Sequence, residues 1–152
     1  MALEKERDYL WVEKVDMNEG LASGTVSKGA LFGTKQALYY LPQSAVTSLG
    51  MTTTVSDGRQ QQARVSTALL ARLAEPDGDL QAIEAWLSQE LSVLTPRRVY
   101  PLDELSVFRV QVGFWIFGGV TLKHREGARQ TLNVQPRAVR ERMAAFYEGK
   151  LR

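Results

Sequence analysis

The residue types that most often perform chemistry in proteins are few and scattered in this sequence. There is one histidine, His124, and there are no cysteines, so disulfides, thiolate nucleophiles and Cys-based zinc or iron–sulfur sites are excluded. His124 lies between Lys123 and Arg125 in a basic stretch near a turn, where we expect an ordinary surface histidine. The sequence therefore predicts no metal site and no cofactor site.

Three short motifs match known sites only in part. Asp77-Gly78-Asp79 begins like a calcium loop, but apolar residues replace the later ligands, so it predicts a turn. The glycines between residues 113 and 119 lack the Lys-Ser/Thr ending of a phosphate-binding loop. The acidic pair at residues 103–104 suits a turn or a cap, and no nucleophile-elbow pattern accompanies the serines. We therefore predict that the protein has no catalytic residues and is not an enzyme.

Charge is distributed unevenly along the chain. Residues 97–152 carry eleven Lys/Arg and five Asp/Glu, whereas residues 1–96 carry eight Lys/Arg and twelve Asp/Glu, so their net charges are +6 and −4. The basic part could favour an anionic partner. The alternative is a solvated helix face, because Arg137, Arg140 and Arg142 lie on one predicted helix and are expected to face water.

The length of the chain, 152 residues, is that of one ordinary domain, and we expect residues 1–152 to form it. Its 44% hydrophobic content suffices for a core, and its 24% charged content is average for a soluble protein. The N-terminal residues are charged and no apolar stretch follows them, which is unlike a secretory signal. The longest bulky apolar stretch, residues 114–122, is roughly half the length that spans a bilayer. We expect a cytoplasmic protein.

The N-terminal half predicts a sheet followed by two helices. Residues 1–18 permit a short helix or an edge strand, and the sequence leaves that choice open. β-Branched and aromatic residues from 25 to 55, interrupted by a turn at Gly33-Thr34-Lys35, predict a β-meander. Apolar residues at helical spacing then predict a helical hairpin over about residues 60–96, with Asp79 as the N-cap of its second helix.

The last third of the chain predicts three more strands and a terminal helix. Residues 107–112 alternate as a strand with one covered face does. Residues 113–120 are predicted to form the next strand, with bulky apolar side chains on both faces. A turn at Glu126-Gly127, a short strand over residues 131–134 and a helix from Pro136 follow. The predicted fold class is α+β: an antiparallel barrel or sandwich of about seven strands with a C-terminal helix and an inserted helical hairpin.

Two stretches of the sequence carry a resemblance to a known superfold. Residues 29–41, GALFGTKQALYYL, look like the GRAM-type hairpin of an apolar strand, a Thr turn and a Leu-aromatic strand. Residues 100–107, YPLDELSV, look like the proline–acidic entry into the fifth strand of such domains. The chain therefore resembles the pleckstrin-homology-like (PH-like) superfold, including its GRAM and bacterial PH-like groups, with residues 60–96 as an insertion. The resemblance implies a partly open barrel plugged by the C-terminal helix, and binding of a protein or membrane rather than catalysis.

Aromatic residues on the predicted strand at residues 113–120 are the leading candidates for a binding surface. If Phe114 and Ile116 face the interior, Trp115 and Phe117 face outward and have to be covered by the inserted helices, another chain or a membrane. Tyr39 raises the same question on the first hairpin, where we expect one of two adjacent tyrosines in the core. The leading hypothesis is a non-catalytic adaptor module that binds a protein partner, or its own copy, through these aromatic residues.

A second class of function, peripheral attachment to an anionic membrane, is the alternative. It would use Lys123, Arg125 and Arg129 together with nearby aromatic residues, and each basic residue would contribute about 1 kcal/mol. Binding of single-stranded nucleic acid is not favoured, because the N-terminal part of the chain is acidic and its basic patches are sparse.

Overall fold

A computed structural model describes residues 2–18, 25–47, 52–53, 56–92, 98–114 and 117–151 of the chain. These residues form eight strands, three α-helices and one 3₁₀ turn. In chain order they are β1 (Tyr9–Asn18), β2 (Thr25–Thr34), β3 (Ala37–Thr47), β4 (Thr52–Thr53), α1 (Ser56–Leu73), α2 (Leu80–Leu91), β5 (Val99–Pro101), the 3₁₀ turn (Leu102–Glu104), β6 (Leu105–Phe114), β7 (Phe117–His124), β8 (Arg129–Val134) and α3 (Arg137–Phe146). The α+β class, the helical hairpin and the C-terminal helix are confirmed.

Seven of the strands form one antiparallel path in the order β4-β3-β2-β1-β8-β7-β6, and β5 pairs with β3 beside it. The strands β4 and β6 end this path and do not pair with each other, so the sheet is not closed into a barrel. β1 lies in the middle, between β2 and β8. The N-terminal segment is therefore an interior strand, neither the helix nor the edge strand that the sequence left open. A bulge between Val12 and Val15 breaks the alternation that would have identified it.

β2 and β3 carry apolar side chains on both faces because both of their faces are covered. Leu31 and Tyr40 point into the core that the bent sheet forms with α3. Phe32, Tyr39 and Leu41 point to the opposite face, where they meet the helical hairpin. Adjacent residues of a strand point to opposite faces, so Tyr39 and Tyr40 are both buried, at 3% and 0% exposure. The expectation that only one of them lies in the core is therefore wrong.

The helical hairpin packs directly on the sheet through one apolar face of each helix. Its buried contacts are Leu69 and Leu73 of α1 with Ile83, Leu87 and Leu91 of α2. Asp79 is the N-cap of α2, as predicted, because its carboxylate accepts hydrogen bonds from the backbone N–H groups of Gln81 and Ala82 at 3.0 and 3.3 Å. The hairpin thus covers the outer face of β2 and β3.

The prediction of one strand over residues 113–120 is wrong, because the chain reverses direction within this range. β6 ends at Phe114 and β7 begins at Phe117, and these two residues are paired opposite each other. The connection between the two strands is therefore two residues long, although residues 115–116 lie outside the described ranges. The apolar run belongs to the end of a β-hairpin, not to a two-sided strand.

The C-terminal helix α3 lies across the inner face of β6, with Val139, Met143 and Phe146 forming its apolar stripe. The ring of Phe146 packs at a centroid distance of 4.8 Å from that of Tyr147, just beyond the helix. Lys35, in the β2–β3 turn, donates to the carbonyl of Phe146 and lies 3.7 Å above its ring. A cation at the end of a helix offsets its unpaired carbonyls, so this turn fixes where α3 ends.

Candidate functional site

Two phenylalanines at the end of the β6–β7 hairpin form the most exposed large apolar surface in the described part of the chain. Phe114 and Phe117 are 65% and 58% exposed, and their ring centroids are 5.5 Å apart. The phenylalanines and tyrosines of the core are at most 5% exposed. We call Phe114 and Phe117 the aromatic pair.

A glycine in a special conformation positions the aromatic pair. Gly113 has φ +56°, in the left-handed region that other residues disfavour, and it lies within the shift of the β6–β7 register between Gln111 and Phe114. A Cβ atom at this position would lie 1.6 Å from the carbonyl oxygen of Phe117, so no other residue fits without moving the hairpin. The bend sets Phe114 opposite Phe117 on the outside of the molecule.

A buried arginine anchors the base of the same hairpin. Arg140 of α3 is 0% exposed, and its guanidinium donates to the carbonyl oxygens of Val112 at 2.5 Å and Val134 at 2.8 Å. The expectation that Arg140 faces water is therefore wrong. The side chain of Arg140 fits because residue 118 is a glycine. A Cβ atom at Gly118 would lie 2.3 Å from the Nε atom of Arg140. Charged hydrogen bonds of this kind hold the ends of β6 and β8 to α3.

Of the other residues singled out from the sequence, those that the structure describes do not join the aromatic pair. Trp115 lies outside the described residues. Tyr39 is buried beneath α2, so the expectation that it belongs to an exposed surface is wrong. Lys123 lies near the far end of β7, six residues from Phe117, which is roughly 20 Å along an extended strand.

The basic residues at that far end gather around the β7–β8 turn. Lys123 and Arg129 are cross-strand neighbours, and Arg125 donates to the carbonyl of Asp103. His124 has a 12% exposed side chain that lies 3.4 Å from Glu104. These basic residues are therefore at the opposite end of the strand from the aromatic pair.

His124 has a structural explanation in this turn. Its Nδ1 atom accepts the backbone N–H of Glu126 at 3.2 Å, so in the neutral ring Nε2 carries the proton and faces the carboxylate of Glu104. The imidazole therefore closes the β7–β8 turn. Among the residues that the structure describes, no group of three His, Cys, Asp or Glu could hold a metal ion.

Burial raises the pKa of three tyrosine phenols, Tyr9, Tyr39 and Tyr147, and the shift is large for Tyr39 and Tyr147. Desolvation raises the pKa of the Tyr39 phenol, and the neighbouring Glu84 carboxylate raises it further, while a hydrogen bond with Ser88 lowers it. Desolvation also raises the pKa of the Tyr147 phenol well above its usual value of 10, with Glu84 and Tyr39 adding to the effect. Both phenols stay protonated at neutral pH. The Tyr39 hydroxyl donates a hydrogen bond to Glu84, whereas the Tyr147 hydroxyl has no hydrogen-bond partner among the described residues.

Sequence reasoning missed three residues of interest: Phe114, Arg140 and Glu84. Phe114 was expected inside because the hairpin turn was not recognised, and the glycines at 113 and 118 were the available signal.

None of the helices in the described ranges has both the length and the apolar character needed to cross a membrane. Comparisons with protein-family models, curated proteins and solved structures gave no match to this chain.

Proposed function

We propose that this protein is a non-catalytic, cytoplasmic binding module of PH-like fold that uses the aromatic pair to bind a protein partner. The strand order along the sheet and the helix that follows the last strand are compatible with a PH-like fold. The observation that carries the binding function is the exposure of two facing phenylalanines on a hairpin whose base is fixed by a buried arginine.

The aromatic pair can make a substantial contribution to the free energy of binding. Full burial of one large apolar side chain contributes roughly 1.5–3 kcal/mol. Since Phe114 and Phe117 are each more than half exposed, completing their burial would contribute about 2–4 kcal/mol. That corresponds to at least about a 30-fold difference in affinity. The glycine-defined bend already orders the hairpin, so less conformational entropy is lost on binding.

A membrane partner is less well supported, because the basic and aromatic residues are separated. Lys123, Arg125 and Arg129 lie around the β7–β8 turn, whereas the aromatic pair lies at the β6–β7 end. A flat bilayer that accepted the aromatic pair would not contact the basic residues, so their attraction for anionic lipid would not add to insertion.

The test compares a double variant with a matched control. Phe114→Ser with Phe117→Ser removes the aromatic pair, and Leu70→Ser removes another exposed apolar side chain, 42% exposed, from α1. We expect self-association in sedimentation velocity, or capture of an identified partner, to weaken at least about 30-fold in the double variant and to persist in Leu70→Ser. Thermal unfolding should be nearly unchanged in both.

Three outcomes would count against the proposal. The double variant could retain the partners and the oligomeric state of the wild type. The Leu70→Ser control could lose them equally. Flotation could show that vesicles of neutral or anionic lipid bind the wild type and not the double variant, which would replace the protein partner by a bilayer.

A further inference from the structure

A cleft of about 610 Å³ lies between α2 and the paired strands β3 and β5, away from the aromatic pair. Part of its floor is apolar: Ala37 stands opposite Pro101, and Tyr39 stands opposite Val99. Its volume is within the range of cavities that bind small molecules or single side chains, about 300–1,000 Å³. The helix α2 forms one wall, and the C-terminal segment beyond α3 lies on the rim.

A carboxylate on the α2 wall is held in one orientation by two buried hydroxyl groups of the sheet. The Oε1 atom of Glu84 accepts a hydrogen bond from the Tyr39 hydroxyl at 3.1 Å and another from the Thr34 hydroxyl. The Thr34 oxygen itself accepts the backbone N–H groups of Gln36 and Ala37, both at 3.1 Å. Its proton has two acceptors in reach, the carbonyl of Ala37 at 3.4 Å and the nearer Glu84 carboxylate. The two hydroxyls act on the same oxygen of the carboxylate, and the other oxygen, Oε2, makes no hydrogen bond with the described residues.

This half-buried carboxylate has no cationic partner within the described part of the chain. The lysine at position 35 on the rim donates to the carbonyl of Phe146, and the Glu84 side chain forms no salt bridge there. A carboxylate removed from water without a counter-charge is unfavourable, and an amide would serve equally well to accept the two hydroxyls. The missing cation is therefore the feature that points to a ligand.

We infer that the cleft binds a lysine or arginine side chain of a partner polypeptide, with the cationic group on Glu84 and the methylene stem on the apolar floor. Long basic side chains commonly pack their stems on apolar surface while the charged end is paired. The lining also contains Lys35, Lys150 and Asp103, so its charged side chains balance, and the unpaired Glu84 carboxylate is the group that favours a cation. The inference goes beyond the proposed function, because it uses neither Phe114 nor Phe117.

The first experiment needs no variant of the protein. Tripeptides blocked at both ends, with a central arginine, lysine, norleucine or glutamate, are titrated into the isotopically labelled full chain. We expect the arginine and lysine peptides to shift the backbone NMR signals of Ala85 and Ser88, and to bind at least tenfold more tightly than the norleucine peptide. Equal binding of all four peptides, or tightest binding of the glutamate peptide, would overturn the inference.

The second experiment uses a matched pair of variants on the same helix. Glu84→Gln retains an acceptor for both hydroxyls and removes the charge, and Glu90→Gln removes the same charge from α2 away from the cleft lining. We expect Glu84→Gln to lower affinity for the arginine peptide at least tenfold and Glu90→Gln to leave it unchanged. Unchanged binding by Glu84→Gln contradicts the inference, and if that variant does not fold, the peptide series on the wild type decides.

The two proposals fail separately. The double variant of Phe114 and Phe117 should bind the arginine peptide as the wild type does, because the aromatic pair does not line the cleft. Loss of partner binding with retained peptide binding would implicate the aromatic pair alone. Retained partner binding by that double variant, with peptide binding that depends on Glu84, would reject only the proposed function.

Discussion

The hydroxyl group of Tyr147 lies against the backbone of Gly33, so the effect of a Gly33→Ala substitution should depend on that hydroxyl. A Cβ atom at Gly33 would lie 2.2 Å from the hydroxyl oxygen, whereas the next nearest atoms are 3.3 Å away. The tyrosine ring cannot easily move, because it packs edge-on against Phe108 and Phe146 at centroid distances of 5.0 and 4.8 Å. Overpacking of this kind destabilises a fold by about 1–3 kcal/mol.

Removing the hydroxyl should relieve most of that cost. In the Tyr147→Phe background the added methyl group meets only carbon atoms, at 3.3 Å, so we expect the destabilisation by Gly33→Ala to fall by at least about 1 kcal/mol. Tyr147→Phe alone should be neutral or stabilising by up to about 1 kcal/mol, because the buried hydroxyl has no hydrogen-bond partner among the described residues.

The assay is urea unfolding of the wild type, both single variants and the double variant, followed by tryptophan fluorescence. Gly127→Ala is the control, because a Cβ atom there would lie 3.5 Å from the nearest side-chain atom, an ordinary contact. If the effects of Gly33→Ala and Tyr147→Phe simply add, the contact between the two residues does not exist as described.

Tyr147→Phe also tests the burial of Tyr147 through the pH dependence of the free energy of unfolding. The folded-state pKa of Tyr147 is raised by burial, so above pH 10 the unfolded chain loses a proton that the folded chain keeps. The contribution of this tyrosine to stability is therefore fully present below pH 10 and is lost as the pH rises. Between pH 8 and pH 11, the free energy of unfolding of Tyr147→Phe should therefore rise by about 1.4 kcal/mol relative to that of the wild type. An equal pH dependence of the two proteins between pH 8 and 11 would refute the burial argument.

Two further substitutions test local features of the fold. Gly113→Ala should destabilise the protein by about 1–3 kcal/mol and weaken partner binding, because it combines a positive φ with a clash at the Phe117 carbonyl; urea unfolding and sedimentation would measure both effects, and a neutral result would contradict the bend. Asp79→Ala should cost about 1 kcal/mol in urea unfolding through loss of the α2 N-cap, and an unchanged midpoint would show that this cap does not contribute to stability.

Local patterns in the sequence predicted those elements whose signals are themselves local. Asp79 and the apolar spacing after it predicted α2, and Val139, Met143 and Phe146 predicted the buried stripe of α3. The chain reversal between β6 and β7 was missed because Asn-Gly or Asp-Gly normally marks a short hairpin connection, and the sequence between Phe114 and Phe117 contains neither. The glycines that shape this hairpin stand outside the turn, where they were interpreted as part of a strand.

Long-range complementarity could not be predicted from the sequence. Arg140 is buried because Gly118, 22 residues earlier, leaves space for it and because two carbonyls lie within reach. On a helix with three arginines, nothing local distinguishes Arg140 from the solvent-exposed Arg137 and Arg142. The orientation of Glu84 likewise depends on hydroxyls supplied by residues 34 and 39. These relations exist only after the sheet has formed.

The distribution of helices over the sheet determines which kind of partner the aromatic pair fits. α1 and α2 cover the outer face of β2 and β3. The outer face of β6, β7 and β8 is polar: Gln111 of β6 and Asn133 of β8 are both paired with Gly119 of β7, which lies between them. The exposure of Phe114 and Phe117 is therefore confined to the hairpin end and does not continue an apolar face. Flat packing against this half of the sheet would bury polar side chains, so the partner should offer a concave apolar pocket with a polar rim. In such an interface a few central residues dominate affinity, which is why removing the aromatic pair is the decisive test.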